Sequence, residues 1–191
     1  MTSGNSDRDA EFRQLVTRCL TGNQGAMLQL VQQCWGQVFG LALRMLGNRQ
    51  DAEDICQETF SRVLRSLHKW DPTRDFHPWL LAIAGNRCRT MLSNRKRQRR
   101  PESLVEDVAE SRSESADELQ EELTGAIATL RAEYREAFCL FHEQELSYEQ
   151  IAEVMQVPLG TIKTWVHRAR KEIVTHLRQR GVFAEDRHAV P

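Results

Sequence analysis

The chain has 191 residues, a formal net charge of −1 and a hydrophobic fraction of 40%. This length and apolar content suffice for one domain, or for two small ones, with a buried core. No run approaches the ~18 uninterrupted apolar residues that a membrane-spanning helix requires. The polar N-terminus also lacks the apolar centre of a signal peptide, so we expect a cytoplasmic protein.

Charge is distributed unevenly along the chain. Residues 1–100 carry a net charge of +7, residues 101–126 a net charge of −8, and residues 127–191 none. The segment 101–118 contains seven acidic residues and one arginine among few large apolar side chains. Such a composition buries too little surface to offset the entropy of ordering. We therefore predict two folded parts and an acidic flexible linker, which is either a spacer or a segment with a role of its own.

The cysteines and histidines do not form a chemical site. The five cysteines are scattered singly without a CxxC pair, which argues against a disulfide framework and a zinc site. We predict that they pack as small buried apolar side chains. His68, His77 and His142 are equally isolated, and the chain lacks a P-loop, an HExxH motif and a nucleophile elbow. The sequence predicts no catalytic residues, no metal and no other cofactor, and hence no enzymatic activity.

The first half contains helical patterns and no strand-like alternation. Segment 26–46 predicts a helix that ends before Gly47. Segment 50–67 predicts an amphipathic helix, because its apolar residues recur at steps of three and four. Its outward face carries acidic and amide side chains, namely Glu53, Asp54, Gln57 and Glu58. Acids are unsuited to DNA, so this face either meets another protein or is simply solvated.

A loop and a basic helix follow. Segment 69–79 holds two prolines and three aromatic residues, which predicts a loop, and 79–94 predicts a helix. From Ala84 to Arg100 there are seven basic residues and no acid. Phe76 and Trp79 are candidates for stacking on unpaired bases beside cations that attract phosphates. Core packing is the alternative for both rings.

The stretch SYEQIAEVMQVPLGTIKTWVHRARKEI, residues 147–173, predicts two helices around a tight turn. Ser147 and Gln150 fit a capping box, and Pro158 suits the first position of the second helix. This helix has an apolar stripe and an opposite polar, basic face, which favours a helix-turn-helix seated in a DNA major groove. The alternative is the solvated face of an ordinary bundle. The DNA-facing candidates are Thr161, Lys163, Thr164, His167, Arg168 and Lys171.

Three stretches together resemble the extracytoplasmic-function (group 4, sigma-70 family) sigma factors of bacterial RNA polymerase. They are LGNRQDAEDICQETFSRVL, FHPWLLAIAGNRCR and YREAFCLFHEQELSYEQIAEVMQVPLGTIKTWVHRARK, in the family's order. The resemblance implies an all-α fold with two small helical domains joined by the acidic linker 101–118. Sigma domain 2 would span 20–100 and sigma domain 4, with the helix-turn-helix, 119–178. An N-terminal segment, 1–19, and a C-terminal tail, 179–191, would flank them.

The resemblance also implies the partners, namely core RNA polymerase and promoter DNA. Asp54, Gln57 and Glu58 would dock on the β′ clamp helices, and domain 4 would rest on the β flap while its last helix contacts the −35 element. The loop and basic helix of domain 2 would bind and melt the −10 element. Their candidate residues are Phe76, Asn86, Arg87, Arg89, Arg95, Lys96 and Arg97. An anti-sigma factor is a further partner that the sequence leaves open.

The implied function is that of an alternative sigma factor that directs promoter recognition and transcription initiation. The sequence departs from the family at Trp165, where arginine is common, and at Arg131, where proline is common. The rival interpretation is a free-standing helix-turn-helix regulator that binds DNA as a dimer. Such a regulator has no use for the outward acidic face, the aromatic loop and the acidic linker together.

Overall fold

A computed structural model describes the backbone of residues 3–98 and 116–182, and the side chains of 11–97 and 119–182. Within these ranges every regular element is helical, which confirms the predicted all-α fold. The helices are α1 (Ser3–Leu20), α2 (Gln24–Leu46), α3 (Arg49–Ser66), a 3₁₀ turn (Leu67–Lys69), α4 (Phe76–Gln98), α5 (Ala116–Thr129), α6 (Ala132–His142), α7 (Tyr148–Met155) and α8 (Leu159–Gln179).

Helix α2 is the centre of the first unit, which comprises α1 to α4. It packs against the other three helices, and its inward residues, such as Leu30 and Leu41, are fully buried. The Asn48 side chain caps α3 by accepting a hydrogen bond from the Asp51 amide at 3.0 Å. Gly47 ends α2 in the left-handed region, with φ 68°, where a side chain would be strained. These local signals set the angle between α2 and α3.

The structure corrects several predicted boundaries. Helix α4 begins at Phe76 rather than at Trp79, because Pro78 in a first helical turn forfeits only an N–H that has no intrahelical partner. The irregular part of the loop is therefore confined to residues 70–75. Helix α1 fills most of the N-terminal segment, for which no helix was predicted. The linker prediction lies outside the described residues over 99–115, and the backbone of 116–118 already belongs to α5.

The second unit, α5 to α8, is built around the contact between α6 and α8. Ser147 and Gln150 form the predicted capping box at the start of α7, with both hydrogen bonds present. Gln156 ends α7 with a positive φ of 57°, and α8 starts directly after Pro158. The apolar stripe of α8 is buried as predicted, from Ile162 to Leu177.

The five cysteines are all buried and free, which confirms their predicted packing role. Burial raises the pKa of Cys34, Cys56, Cys88 and Cys139 to about 12. These thiols therefore remain protonated and unreactive at neutral pH.

The two units pack against each other. Helix α4 lies on α7, and α2 lies on α5 and α6, so that buried side chains of both units form one continuous cluster. None of the described helices combines the length and the hydropathy that crossing a bilayer would take.

Candidate polymerase and nucleic-acid interfaces

Helix α3 presents its acidic face to solvent. Its apolar residues, among them Ile55 and Phe60, are buried against the core. Asp54, Gln57 and Glu58 are exposed, as the helical periodicity requires. The three side chains lie at spacings of three and four residues, on one side of the helix.

The acidic face of α3 is joined to the basic helix α4. The Glu58 carboxylate accepts a hydrogen bond from Arg87 Nε at 2.7 Å, and Asp51 forms an ion pair with Arg95. Two candidate DNA contacts are therefore already paired with carboxylates of the neighbouring helix. The pairs are partly solvated, so each is worth little in stability, but they orient the arginine side chains.

The loop between α3 and α4 is ordered by a local turn. The Asp71 carboxylate accepts hydrogen bonds from the Thr73 amide at 2.9 Å and the Thr73 hydroxyl at 2.7 Å. These bonds hold the pKa of Asp71 below its usual value. The loop, α4 and α7 enclose a cleft of about 450 Å³ that is lined by Trp70 and Trp79.

Phe76 is not on the surface, which corrects its expected position in an open loop. It is 3% exposed in the first turn of α4. Its ring centroid lies 5.2 Å from that of Phe12 and 5.5 Å from those of Trp70 and Trp79. A base could not stack on this ring without displacing its neighbours, so the structure favours core packing for Phe76. Trp79 is partly exposed and borders the cleft.

The basic part of α4 contains both paired and solvent-exposed side chains. Arg89 donates to Asn86 Oδ1 at 2.5 Å and forms an ion pair with Glu136 of α6. Lys96 and Arg97 are exposed near the C-terminal end of the helix. Arg89 is thus held by the second unit, and the last turns of α4 are accessible to a polyanion.

The polar face of α8 is exposed, as expected for a helix that contacts DNA. Its solvated side chains include Lys163, Thr164, His167 and Lys171. Thr161 near the start of the helix is half-buried. The short turn between α7 and α8 leaves the first turns of α8 uncovered, which is the part of a recognition helix that contacts base edges.

Arg168 is held by a tyrosine from the neighbouring helix. Its Nη1 donates to the Tyr134 hydroxyl at 3.0 Å, a contact that raises the pKa of Arg168. Tyr134 is 4% exposed and its ring carries the Arg131 guanidinium at 5.2 Å. Trp165 packs beside the same ring, with centroids 6.4 Å apart. Trp165 therefore belongs to the support of the helix rather than to its outward face.

Several polar residues between the two units had no signal in the sequence. Glu136 is fully buried, and Arg135 Nη1 donates to the Met45 carbonyl at 2.9 Å. Both lie in a helix whose charged residues are typical of a solvated face. Only the packing of α6 on the first unit distinguishes them.

Comparison with known proteins gives two family matches and close relatives. Residues 20–98 match Sigma-70 region 2, and residues 120–173 match Sigma-70, region 4. The chain is 37% identical over 168 residues to the ECF RNA polymerase sigma factor SigE of Mycolicibacterium smegmatis, covering 82% of this chain and 65% of that protein. It is 31% identical over 185 residues to the ECF RNA polymerase sigma factor SigW of Bacillus subtilis, covering 87% and 97%. The chain thus spans just under two thirds of the first relative and nearly all of the second.

Two solved structures have a similar fold. The sigma factor RpoE of Bartonella quintana, in complex with the anti-sigma factor NepR, aligns with a TM-score of 0.70 and 24% identity, over 78% of this chain and 95% of that one. CnrH, in complex with the cytosolic domain of CnrY, aligns with a TM-score of 0.65 and 26% identity, over 87% and 97%. Together with the family matches and the level of identity to the relatives, this shows that the chain belongs to the extracytoplasmic-function sigma factors of the sigma-70 family.

Proposed function

We propose that this sigma factor binds core RNA polymerase through α3 and promoter DNA through α4 and α8. The single observation that carries the proposal is the separation of charge between neighbouring helices. Exposed acidic and amide side chains occupy one face of α3, whereas α4 ends in arginine and lysine. A protein partner and a nucleic acid can then bind side by side without repelling each other.

The acidic face is the proposed polymerase contact. Asp54, Gln57 and Glu58 are exposed and share one side of α3. The family resemblance assigns this position to the β′ clamp helices, and the β flap to domain 4. We infer that the first unit is sigma domain 2 and the second unit is sigma domain 4.

The basic part of α4 is the proposed contact to the −10 element. Asn86, Arg87, Arg89, Arg95, Lys96 and Arg97 supply its polar and cationic side chains. Holding a base outside the duplex costs a few kcal/mol, which stacking and phosphate attraction can offset. Trp79 at the cleft, rather than the buried Phe76, is the ring available for such stacking.

Helix α8 is the proposed contact to the −35 element. Its exposed face offers Thr161, Lys163, Thr164, His167, Arg168 and Lys171. Hydroxyl and guanidinium groups near the start of a helix can bond base edges in the major groove, and lysines farther along can neutralise phosphates. The Tyr134 hydroxyl supports the arginine of this set.

Three further points follow from family membership. Sigma factors are non-enzymatic initiation factors, so we infer that the polymerase performs the chemistry and that this chain has no active site of its own. We expect it in the cytoplasm, where polymerase and promoters are. An anti-sigma factor is proposed as a third partner, because two proteins of this fold were solved in complex with one.

The rival function, a dimeric helix-turn-helix regulator, is disfavoured by the first unit. Residues 20–98 match a sigma-70 region that a free-standing regulator would not need. The experiment that separates the two is gel filtration of the purified chain with and without core polymerase. Co-elution with core polymerase supports the proposal. A dimer that binds DNA and ignores the polymerase would overturn it.

A further inference from the structure

The two units are joined by ion pairs that all have the same polarity. In each pair between described residues, the first unit supplies an arginine and the second unit supplies a glutamate. The pairs are Arg44–Glu143, Arg74–Glu153 and Arg89–Glu136. The contact therefore places carboxylates of the second unit on cations of the first.

The pair formed by Arg89 and Glu136 is the most enclosed of the three. Glu136 is fully buried, and its Oε2 atom has no hydrogen-bond partner among the described residues. Burial raises the pKa of the Glu136 carboxyl, although the Arg89 guanidinium opposes this shift. A glycine makes room for the carboxylate, since a Cβ at Gly85 would lie 2.5 Å from Glu136 Oε1. The surface of α4 is shaped to receive this side chain.

Further polar contacts surround these pairs. Arg44 Nε lies 2.9 Å from Glu143 Oε1, and its Nη1 donates to Thr124 Oγ1 at 2.7 Å. The side chain of Gln150 donates to Asp75 Oδ2 at 2.9 Å. A contact so rich in charged and polar groups resembles the reversible interfaces between domains rather than a permanent core.

The contact covers cations that the proposed function assigns to DNA. Arg89 is a −10 candidate, and Arg74 lies in the loop that leads into α4. The same guanidinium cannot bond a carboxylate of α6 and a DNA phosphate in one geometry. Promoter DNA and the second unit therefore compete for this surface.

We propose that Glu136, Glu143 and Glu153 act as internal substitutes for DNA phosphates and hold the free chain in a closed form with reduced affinity for DNA. The inference rests on the proposed DNA-binding role of α4. Separation of the two units exposes the cations, so partners that hold the units apart favour DNA binding. Apparent affinity for DNA then equals the affinity of the open form multiplied by its population.

The closed form can be disrupted without changing any charge. Gly85→Leu places a side chain where only Glu136 and Arg89 lie near the new Cβ, so the open form accommodates it and the closed form does not. Leucine also favours a helix over glycine. Gly36→Leu is the matched control, because it sits within α2 with nothing within 4 Å of its Cβ.

Two measurements on the free full-length chain test the proposal. Small-angle X-ray scattering should give a larger radius of gyration for Gly85→Leu than for the wild type and Gly36→Leu. Fluorescence anisotropy with a random 30-base-pair duplex should show about tenfold tighter binding for Gly85→Leu, if the closed form holds about 90% of the wild-type population. An unchanged radius of gyration would overturn the closed form, and a larger one with unchanged DNA affinity would overturn the competition.

A second pair of variants guards against a folding defect in Gly85→Leu. Glu143→Gln removes one carboxylate from the contact with Arg44, and Glu133→Gln removes one from the same helix outside the ion pairs between the units. Circular dichroism should report wild-type helicity for both. Tighter DNA binding by Glu143→Gln than by Glu133→Gln supports the proposal, and equal binding contradicts it. Run-off transcription with core polymerase separates the two proposals, since its failure in the wild type would contradict the proposed function while the scattering result stands.

Discussion

At the scale of single residues, the bond between Arg168 and the Tyr134 hydroxyl is the most specific support for DNA contact. We expect Arg168→Ala to lower discrimination for the −35 element by about 1–3 kcal/mol, because an arginine that bonds a base edge loses both donors. Competition between a −35 duplex and random DNA measures this difference. If both affinities fell equally, Arg168 would contact only phosphate.

Tyr134→Phe tests whether the tyrosine positions that arginine. The ring is 4% exposed and its packing should survive, whereas the hydroxyl that accepts from Arg168 is lost. We expect discrimination for the −35 element to fall by about 1 kcal/mol, the net value of one hydrogen bond. Tyr148→Phe is the control, since that ring stacks on Phe141 and lies away from Arg168. Loss of discrimination in the control as well would rule out a positioning role.

Ser147→Ala tests the capping box at the start of the helix-turn-helix. It removes the hydroxyl that accepts from the Gln150 amide at 3.1 Å. We expect the free energy of unfolding to fall by about 1 kcal/mol in urea denaturation followed by circular dichroism. Thr175→Ala should change stability much less, because its hydroxyl only bonds a carbonyl one turn back in α8. Equal effects would mean that the cap contributes nothing specific.

At the scale of elements, α3 binds one partner on each side. Its apolar face forms the core, and its acidic face should carry the affinity for polymerase. We expect the triple substitution of Asp54, Gln57 and Glu58 by alanine to weaken core polymerase binding at least about tenfold, since each contact residue of an interface centre is worth more than 1 kcal/mol.

The triple variant has a matched control elsewhere on the surface. Glu11, Gln14 and Glu121 are two exposed acids and one exposed amide outside α3. Their replacement by alanine changes composition and charge equally and should leave core polymerase affinity unchanged. Surface plasmon resonance with immobilised core enzyme compares the two variants. Similar losses would show that the acidic face of α3 has no special role.

Elements with strong periodicity and local caps could be predicted from the sequence. Helices α3 and α7 have an apolar face at helical spacing together with a side-chain cap, and they appear within about two residues of the predicted bounds. The start of α4 was misplaced, because the proline at 78 was taken to extend a loop. In the structure Phe76 anchors the first turn through aromatic packing, a tertiary effect that overrides the local signal.

At the scale of the whole molecule, the packing of one unit on the other could not be predicted. Glu136 belongs to a helix whose apolar residues pack on α8, so by periodicity it should be solvated. Its burial depends on Gly85 and Arg89, which are distant in sequence and carry no local signal. The candidate site residues on α3 and α8 could be predicted because exposure there follows from the helix itself.

The arrangement also bears on the acidic linker, which the sequence suggested might weaken unassisted DNA binding. That segment lies mostly outside the described residues. Carboxylates of the folded second unit already occupy cations of the first, so the same inhibitory effect arises from defined contacts. Both sources of negative charge would act in the same direction.

The central claim is that this chain directs polymerase to promoters through α3, and the most direct test is run-off transcription with core polymerase on a library of genomic promoter fragments. The account predicts discrete transcripts with the wild-type chain, a strong reduction with Asp54, Gln57 and Glu58 replaced by alanine, and wild-type yield with the Glu11, Gln14 and Glu121 control. Absence of discrete transcripts with the wild type, or full yield with the α3 triple variant, would contradict it.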